Sequence, residues 1–135
     1  MQTNSLAIII PAYKSTFLAA ALDSIAAQTC KDFTVYIGDD HSPNHLEEIV
    51  EMYKDKMQLV YKKFDTNVGG KDLVAQWKRC VEMAHDEKWL WLFSDDDVME
   101  PRCVEEFYQT VKEHPNAGLV HFNLLKLENS TGKLY

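Results

Sequence analysis

No apolar run in the sequence is long enough to cross a lipid bilayer. A membrane-spanning helix takes roughly 20 apolar residues, and the apolar run at residues 6–10 is ended by Pro11. The first five residues contain no lysine or arginine, so the charged start of a secretory signal peptide is absent. We therefore predict neither a transmembrane segment nor a signal peptide in this chain.

Cysteine and basic residues are both scarce. Cys30, Cys80 and Cys103 are widely spaced without a Cys-x-x-Cys pair, which indicates neither a disulfide framework nor a thiolate zinc site. Cysteines outside disulfides are typical of a reducing compartment, so we predict the cytoplasm or the inner face of the membrane. Lysine and arginine number 14 against 21 acidic residues, for a net charge of -7. Nucleic-acid binders usually display a basic face, and we predict no nucleic-acid partner.

The segment after the first predicted strand lacks the features that two classes of α/β enzyme carry at this position. It reads Pro11-Ala12-Tyr13. A phosphotransfer or phosphatase domain of similar layering would place a nucleophilic aspartate there. A nucleotidyltransferase would place a glycine-rich loop there to hold phosphates. Neither class is favoured.

Short apolar runs alternate with helical patterns along the 135 residues. This order predicts an α/β fold, a mostly parallel sheet with helices on both faces, in a single domain over residues 1–135. Since ligands bind beyond the carboxyl ends of such strands, we expect the chemistry after residues 12, 38, 64 and 94. Strands are predicted at residues 6–12, 33–37, 58–64, 89–93 and 118–125, and helices at residues 16–28 and after Asn44, Gly70 and Pro101.

Two helices carry more specific predictions. Asn44 and Glu47, three residues apart, are typical of a capping box at the start of a helix. The apolar spacing of the helix after Gly70 predicts an inward face. That face contains Leu73, Trp77, Val81 and Ala84.

Two strand ends carry acidic residues. Asp39 and Asp40 follow the second strand, and Asp95, Asp96 and Asp97 follow the fourth. Three consecutive carboxylates repel one another, so such a run is tolerated where water or a cation neutralises it. Mg2+ and Mn2+ prefer carboxylate oxygens and keep coordination positions for phosphates. Since this run follows a buried strand, we predict a cation site; a solvated acidic loop is the alternative.

The acidic doublet and Tyr13 each allow two interpretations. Asp39-Asp40 fits an Asx-type turn before the next helix, or hydrogen-bond acceptance from a base or ribose. Tyr13 is either a half-buried anchor or a surface on which a base stacks. Because parallel strands end at the same edge of a sheet, we expect these residues and the acidic run to line one crevice.

Four motifs in this order resemble glycosyltransferase family two. They are residues 6–13 (LAIIIPAY), residues 28–42 (QTCKDFTVYIGDDHS), Asn67-x-Gly69 and residues 92–101 (LFSDDDVMEP). The resemblance extends to about Asn123 and implies the nucleotide-diphospho-sugar transferase (GT-A-like) fold. It also implies metal-dependent, inverting transfer of a sugar from a nucleotide diphosphate, with UDP-sugar favoured. The acceptor would be the hydroxyl of a saccharide or lipid-linked molecule in bacterial surface polysaccharide synthesis.

The resemblance also implies roles for individual residues. Pro11, Ala12 and Tyr13 would cradle the nucleobase, with the Tyr13 ring stacked on it. Asp40 would accept a hydrogen bond from the base, usually uracil. These roles belong to the family motif and are carried over by position.

The acidic motif would hold the metal and the donor's ribose and diphosphate. The family pattern is often Asp-x-Asp-Asp, and aligned from Pro101 its first acid falls on Ser94. The last two acids fall on Asp96 and Asp97, which are the expected ligands of Mg2+ or Mn2+. Asp95 is expected to replace the missing acid, toward the ribose or a metal-bound water.

Several positions depart from the family pattern. His41 stands where glycine is usual. No arginine follows Gly69 closely, which leaves Lys71 or Lys78 as candidates to replace it and Gln76 as a residue lining the pocket. The alternative is that these are exposed helix positions, and it is the favoured interpretation for Lys78.

The catalytic base is a further departure. In the family it is an acid in the acceptor-binding half, so we expect it beyond Tyr135. The chain would then be a truncated N-terminal part that is inactive in isolation. A non-catalytic module that binds nucleotide-sugar and metal is the alternative.

Overall fold

The computed structural model describes residues 5–122. In that part of the chain, four strands form one parallel sheet in the order β3-β2-β1-β4. The strands are β1 (Leu6–Ala12), β2 (Thr34–Asp39), β3 (Leu59–Lys63) and β4 (Trp89–Leu92). The helices are α1 (Leu18–Ala26), α2 (Leu46–Glu51), α3 (Leu73–Val81) and α4 (Cys103–Glu113). The predicted alternation of strands and helices is confirmed, with ends that differ by a few residues.

β1 forms the centre of the sheet. Ile8 aligns with Val35 of β2 on one side and with Trp91 of β4 on the other. Every residue of β1 except Pro11 is buried. A strand covered on both faces needs a continuous apolar run, which explains why this segment shows no alternation of polar and apolar residues.

The chain reverses its direction across the sheet at β1. It moves outward from β1 through β2 to β3, and then returns to place β4 on the other side of β1. Such a reversal opens a crevice beyond the carboxyl ends of the strands that flank it. The crevice therefore lies beyond Ala12 of β1 and Leu92 of β4.

The same topology distributes the helices. Crossovers between parallel strands are right-handed, so α1 and α2 lie on one face and α3, which leads back to β4, lies on the other. On the α3 face, Cys80 packs against Ala7, Ile9 and Tyr36. The predicted coverage of both faces is confirmed.

The predicted inward face of α3 is wrong for two of its members. Leu73 is 52% exposed and Trp77 is 38% exposed, whereas Gln76 and Cys80 are buried. A Cβ atom on Gly38 would lie 2.3 Å from the Cys80 Sγ atom, so the helix approaches the sheet closely at this point. That approach fixes the rotation of α3. Val81 and Ala84 do pack, in part, against the cluster around Cys80.

The predicted capping box before α2 is also wrong. The helix begins at Leu46, after His45 in a left-handed conformation (φ 55°), and no side chain caps it. The Asn44 amide donates instead to the carbonyl oxygen of Tyr13, 2.9 Å away. A bond to a distant strand end has replaced the local one.

The chain divides into two compact units, Met1–Glu105 and Glu106–Tyr135. The sheet belongs to the first, and α4 runs through the boundary. In the second unit, the rings of Phe107 and Tyr108 pack edge to face, with their ring centres 5.0 Å apart. The predicted fifth strand is wrong for residues 118–122, which form no strand, and its remaining residues lie outside the described part. The prediction of a single domain stays a prediction.

No helix within residues 5–122 combines the length and the apolar character that crossing a membrane requires.

Candidate functional site

The crevice at the reversal of the sheet brings together loops that follow three strands. Tyr13 comes directly after β1, Asp40 directly after β2, and Asp95 lies in the loop after β4. The main-chain N–H of Asp40 donates to the Ala12 carbonyl oxygen at 2.9 Å. The N–H groups of Tyr13 and Lys14 donate to Asp95 Oδ2 at 3.0 and 3.3 Å. The predicted convergence of these residues is thus present in the structure.

Tyr13 has a bonded main chain and an accessible ring. Its carbonyl oxygen accepts hydrogen bonds from Ser42 Oγ at 2.5 Å and from Asn44 Nδ2 at 2.9 Å. The residue as a whole is 41% exposed. The Tyr13 main chain therefore makes hydrogen bonds that hold the loop, and a stacking role for the ring stays a prediction.

Asp40 is buried, and its carboxylate organises the loop before α3. Oδ1 accepts the Val68 N–H at 2.8 Å, and Oδ2 accepts the Gly69 N–H at 2.9 Å. Oδ1 also accepts from Arg79 Nη2 at 2.6 Å. A carboxylate offers about four acceptor sites, and these three donors leave one site on Oδ2 without a protein donor among the described residues.

Gly69 is required beside Asp40. A Cβ atom at this position would lie 2.4 Å from Asp40 Oδ2. The Asn67 amide also donates to the Asp40 carbonyl oxygen at 3.0 Å. The Asn67-x-Gly69 motif therefore has a structural explanation, since both residues contact the acid after β2.

Arg79 is the site residue that the sequence analysis missed. Besides Asp40, it donates to Gln76 Oε1 at 2.6 Å and to the Thr66 carbonyl at 2.9 Å. Its guanidinium lies 3.9 Å from the centre of the Phe64 ring. The sequence analysis named Lys71 and Lys78 as candidates for a cation after Gly69, whereas the cation that bonds to Asp40 is Arg79 of α3. The sequence signal that could have identified Arg79 is its spacing of three residues from Gln76, which puts the two side chains next to each other on one face of α3.

Asp39 shapes the loop between β2 and α2. Its Oδ1 accepts the Ser42 N–H at 2.8 Å, three residues further on and one residue beyond the bond of an Asx turn. Its Oδ2 accepts the Tyr61 hydroxyl at 2.5 Å. Burial raises the pKa of Tyr61, and the hydrogen bond to Asp39 raises it further. Both oxygens of this buried carboxylate are therefore used within the protein.

His41 explains why glycine is usual at its position. Its φ is 56°, in the left-handed region that costs most side chains energy but not glycine. His41 Nδ1 lies 3.0 Å from the Phe64 carbonyl oxygen, and this contact helps a non-glycine residue to occupy the turn.

The acidic loop after β4 is closed by Ser94. Its Oγ donates to Asp96 Oδ1 at 2.5 Å, and its carbonyl oxygen accepts the Asp97 N–H at 3.3 Å. Asp96 and Asp97 are exposed, and Asp95 is half-buried. Within residues 5–122, no hydrogen bond ties Asp96 or Asp97 to the loops after β1 and β2.

The carboxylates of this loop disfavour one another's charge. Partial desolvation of its carboxylate raises the pKa of Asp97, although the residue as a whole is exposed, and the charges of Asp96 and Asp95 raise it further. Burial also raises the pKa of Asp95, against the two main-chain donors that lower it. Over the described residues, no three His, Cys, Asp or Glu side chains form a ready metal cage. Magnesium commonly needs only one or two carboxylates, with substrate phosphates and water completing its shell.

The fold defines an α/β domain of the nucleotide-diphospho-sugar transferase class. The family model of glycosyl transferase family 2 matches residues 7–130. The chain therefore belongs to glycosyl transferase family 2.

Curated relatives extend this family assignment. Poly(ribitol-phosphate) beta-N-acetylglucosaminyltransferase TarS of Staphylococcus aureus is 28% identical over 130 residues, which cover 93% of this chain and 21% of that protein. A PGL/p-HBAD biosynthesis glycosyltransferase of Mycobacterium bovis is 29% identical over 128 residues, covering 93% and 48%. The chain thus spans between about a fifth and a half of the length of these relatives.

A solved structure shares the fold. Staphylococcus aureus TarS 1-349 in complex with UDP-GlcNAc aligns with a TM-score of 0.75 at 22% identity, covering 93% of this chain and 39% of that one. The predicted GT-A-like fold is confirmed.

Proposed function

We propose that this chain is the nucleotide-sugar-binding part of a metal-dependent, inverting glycosyltransferase. It would bind a nucleotide diphosphate-sugar, with UDP favoured, for transfer of the sugar to an acceptor hydroxyl. The observation that carries the proposal is the crevice at the β1 reversal. There an exposed Tyr13 ring, a remaining acceptor site on Asp40 and the exposed Asp96 and Asp97 come from three neighbouring loops.

The nucleoside would bind to the loops after β1 and β2. The Tyr13 ring offers a face for stacking on the base, beside Pro11 and Ala12 at the end of β1. The remaining acceptor site on Asp40 suits an N–H donor of the base, such as that of uracil. The oxygen of Asp95 that does not hold the Tyr13 and Lys14 amides would contact the ribose or a metal-bound water.

The acidic loop fits a hard divalent cation. Asp96 and Asp97 offer oxygen donors, are exposed, and lie among charges that raise the pKa of Asp97. We propose that they hold Mg2+ or Mn2+ together with the donor's phosphates. The bound cation would stabilise, as a Lewis acid, the charge that develops on the leaving diphosphate. Ser94 Oγ donates to Asp96 Oδ1, and this bond would restrict the orientation of that carboxylate.

The relatives support the choice of donor and acceptor. Staphylococcus aureus TarS was solved with UDP and with UDP-GlcNAc on the same fold, which favours a UDP-sugar here. The name of that relative specifies poly(ribitol-phosphate) as its acceptor. We propose a saccharide or lipid-linked acceptor in bacterial surface polysaccharide synthesis, at the cytoplasm or the inner face of the membrane.

The catalytic base is not among the proposed site residues. An inverting transfer needs a general base within hydrogen-bond reach of the acceptor hydroxyl, and we propose that it lies beyond Tyr135. The second candidate function is therefore a module that binds nucleotide-sugar and metal without turnover. The chain's partial coverage of its relatives keeps this candidate open.

Thermal unfolding with Mn2+ and UDP-GlcNAc tests the donor site. A ligand at 100 times its dissociation constant stabilises a protein by about 2.7 kcal/mol, so the melting temperature should rise when both are present and fall back with EDTA. Asp96→Ala should abolish the shift. Asp55→Ala, which removes an exposed acid far along the chain, should retain it. If no nucleotide raises the melting temperature of the unmodified chain, with metal or without it, the proposal is overturned.

Activity on added acceptors separates the two candidate functions. Release of UDP from UDP-GlcNAc in the presence of a saccharide acceptor is expected only from a longer chain that contains an acidic residue in base position. UDP release by residues 1–135 alone would contradict the placement of the base beyond Tyr135.

A further inference from the structure

We infer that Ser42 and Asn44 are positioning residues, which hold the Tyr13 main chain so that its ring is a fixed stacking surface for the nucleobase. The inference rests on the proposed function, because it concerns the same nucleotide site. Neither residue is expected to touch the ligand. Each acts through the carbonyl group of Tyr13.

The Tyr13 carbonyl oxygen is fully used by these two side chains. Ser42 Oγ donates to it at 2.5 Å and Asn44 Nδ2 at 2.9 Å. A carbonyl oxygen has two lone pairs, and both have a donor. The exposed Asn44 side chain does not cap α2, so stabilising that helix does not account for its position.

The direction of the Ser42 bond is fixed by its neighbours. Its Oγ accepts the Asn44 N–H at 3.1 Å, which leaves the hydroxyl proton for Tyr13. Its own N–H donates to Asp39 Oδ1 at 2.8 Å, and Asp39 is buried at the end of β2. The donors that hold Tyr13 are therefore anchored to the sheet.

The opposite side of Tyr13 is held by the loop after β4. Asp95 Oδ2 accepts the N–H groups of Tyr13 and Lys14. The peptides on both sides of the residue are thus bonded to other strand ends, while the ring is exposed. Surface loops normally move more than the elements that they connect. A loop that is bonded in this way loses less conformational freedom when it binds a ligand, and this preorganisation raises affinity.

Two ligands distinguish positioning of the ring from general support of the loop. UDP carries a base that can stack, whereas pyrophosphate has phosphates without a base. A residue that acts through the Tyr13 ring should alter the affinity for UDP alone. A residue that only supports the crevice should alter both affinities, because Asp95 of the loop after β4 accepts the Lys14 N–H of the same Tyr13–Lys14 peptide.

The test is isothermal titration of Mn2+-UDP and Mn2+-pyrophosphate into the full chain and its variants. We expect Asn44→Ala to weaken UDP binding roughly two- to tenfold, the range for loss of one preordered side chain. Pyrophosphate binding should be unchanged. Asn116→Ala, at an exposed asparagine of the second unit, is the matched control and should change neither affinity.

A double-mutant cycle locates the effect at the ring. Tyr13→Ala should weaken UDP binding roughly five- to a hundredfold, as for the loss of a base–aromatic stack. Adding Asn44→Ala to it should cause no further loss. Ser42→Ala, measured in the same way, should behave like Asn44→Ala.

Different outcomes overturn different statements. The inference alone would be overturned if Asn44→Ala weakened the binding of UDP and of pyrophosphate equally. It would also be overturned if the losses of UDP affinity caused by Tyr13→Ala and Asn44→Ala added in the double variant. UDP binding that Asn44→Ala and Ser42→Ala both leave intact would overturn it as well. If the unmodified chain binds no UDP, the proposed function fails and the inference fails with it.

Discussion

Replacing Arg79 with leucine should destabilise the protein by about 3 kcal/mol, because it leaves the buried Asp40 carboxylate without its cation. The Arg79 Nη2 atom lies 2.6 Å from Asp40 Oδ1, and the two side chains are 21% and 6% exposed. Removing one partner of a buried ion pair costs about 3–5 kcal/mol. Asp40 keeps the Val68 and Gly69 N–H donors, which places the loss at the lower end of that range.

Urea unfolding followed by far-ultraviolet circular dichroism measures this loss. Arg102→Leu is a matched control, since the Arg102–Glu105 pair has nearly the same separation, 2.7 Å, but side chains that are 66% and 45% exposed. Exposed pairs contribute little to stability, so this variant should unfold at nearly the same urea concentration as the unmodified protein. Arg79→Lys should fall between the two, since lysine retains the charge but not the planar arrangement of donors.

Comparable unfolding midpoints for Arg79→Leu and Arg102→Leu would refute the reasoning. That result would mean that the main-chain donors alone satisfy Asp40 and that its burial makes no difference. A changed dependence on urea concentration, rather than a changed midpoint, would instead indicate an altered unfolded or native state.

Two further predictions concern buried side chains of the first unit. Burial and the hydrogen bond to Asp23 raise the pKa of Tyr53 from 10.0 to about 12. Since the unfolded chain loses this proton at a lower pH than the folded protein does, the free energy of unfolding should fall as the pH rises from 10 toward 12. Urea unfolding at several alkaline pH values should show a smaller fall for Tyr53→Phe, and an equal fall would contradict the assignment. Burial raises the pKa of the Cys80 thiol to about 12, and the thiolate is the form that reacts with thiol reagents. At pH 8 such a reagent should therefore modify the half-buried Cys30 and leave Cys80 unmodified until the protein is denatured. Mass spectrometry of the labelled peptides decides this, and rapid native labelling of Cys80 would contradict the packing of α3.

The strands and their order along the chain were predictable because their signals are local. The unbroken apolar run of β1 is itself the sign of a strand covered on both faces. The acids after β2 and β4 could be placed at one crevice because parallel strands end at one edge of a sheet. These inferences do not depend on knowing which residues that are distant in the sequence contact each other in the fold.

The details of α3 and of the Tyr13 loop were not predictable in this way. Apolar spacing favoured Leu73 and Trp77 as the inward face, but Gln76 is buried because its amide finds the Gly38 carbonyl 3.1 Å away. A partner 38 residues distant leaves no local pattern. The same holds for Asn44, whose local signal indicated a helix cap and whose amide bonds to Tyr13 instead. With the phase of α3 misjudged, Arg79 could not be recognised as the partner of Asp40.

The shared peptide at Tyr13 has a consequence for protein engineering. Three segments that are far apart in the sequence exchange hydrogen bonds there: the Tyr13–Lys14 amides, the donors Ser42 and Asn44, and the acceptor Asp95. A chimaera whose imported segment lacks the Asp95 side chain, or those of Ser42 and Asn44, would leave main-chain groups of Tyr13 and Lys14 without these partners. Attempts to redesign nucleotide preference should therefore transplant all three segments as a single block, even though they lie on three separate stretches of the gene.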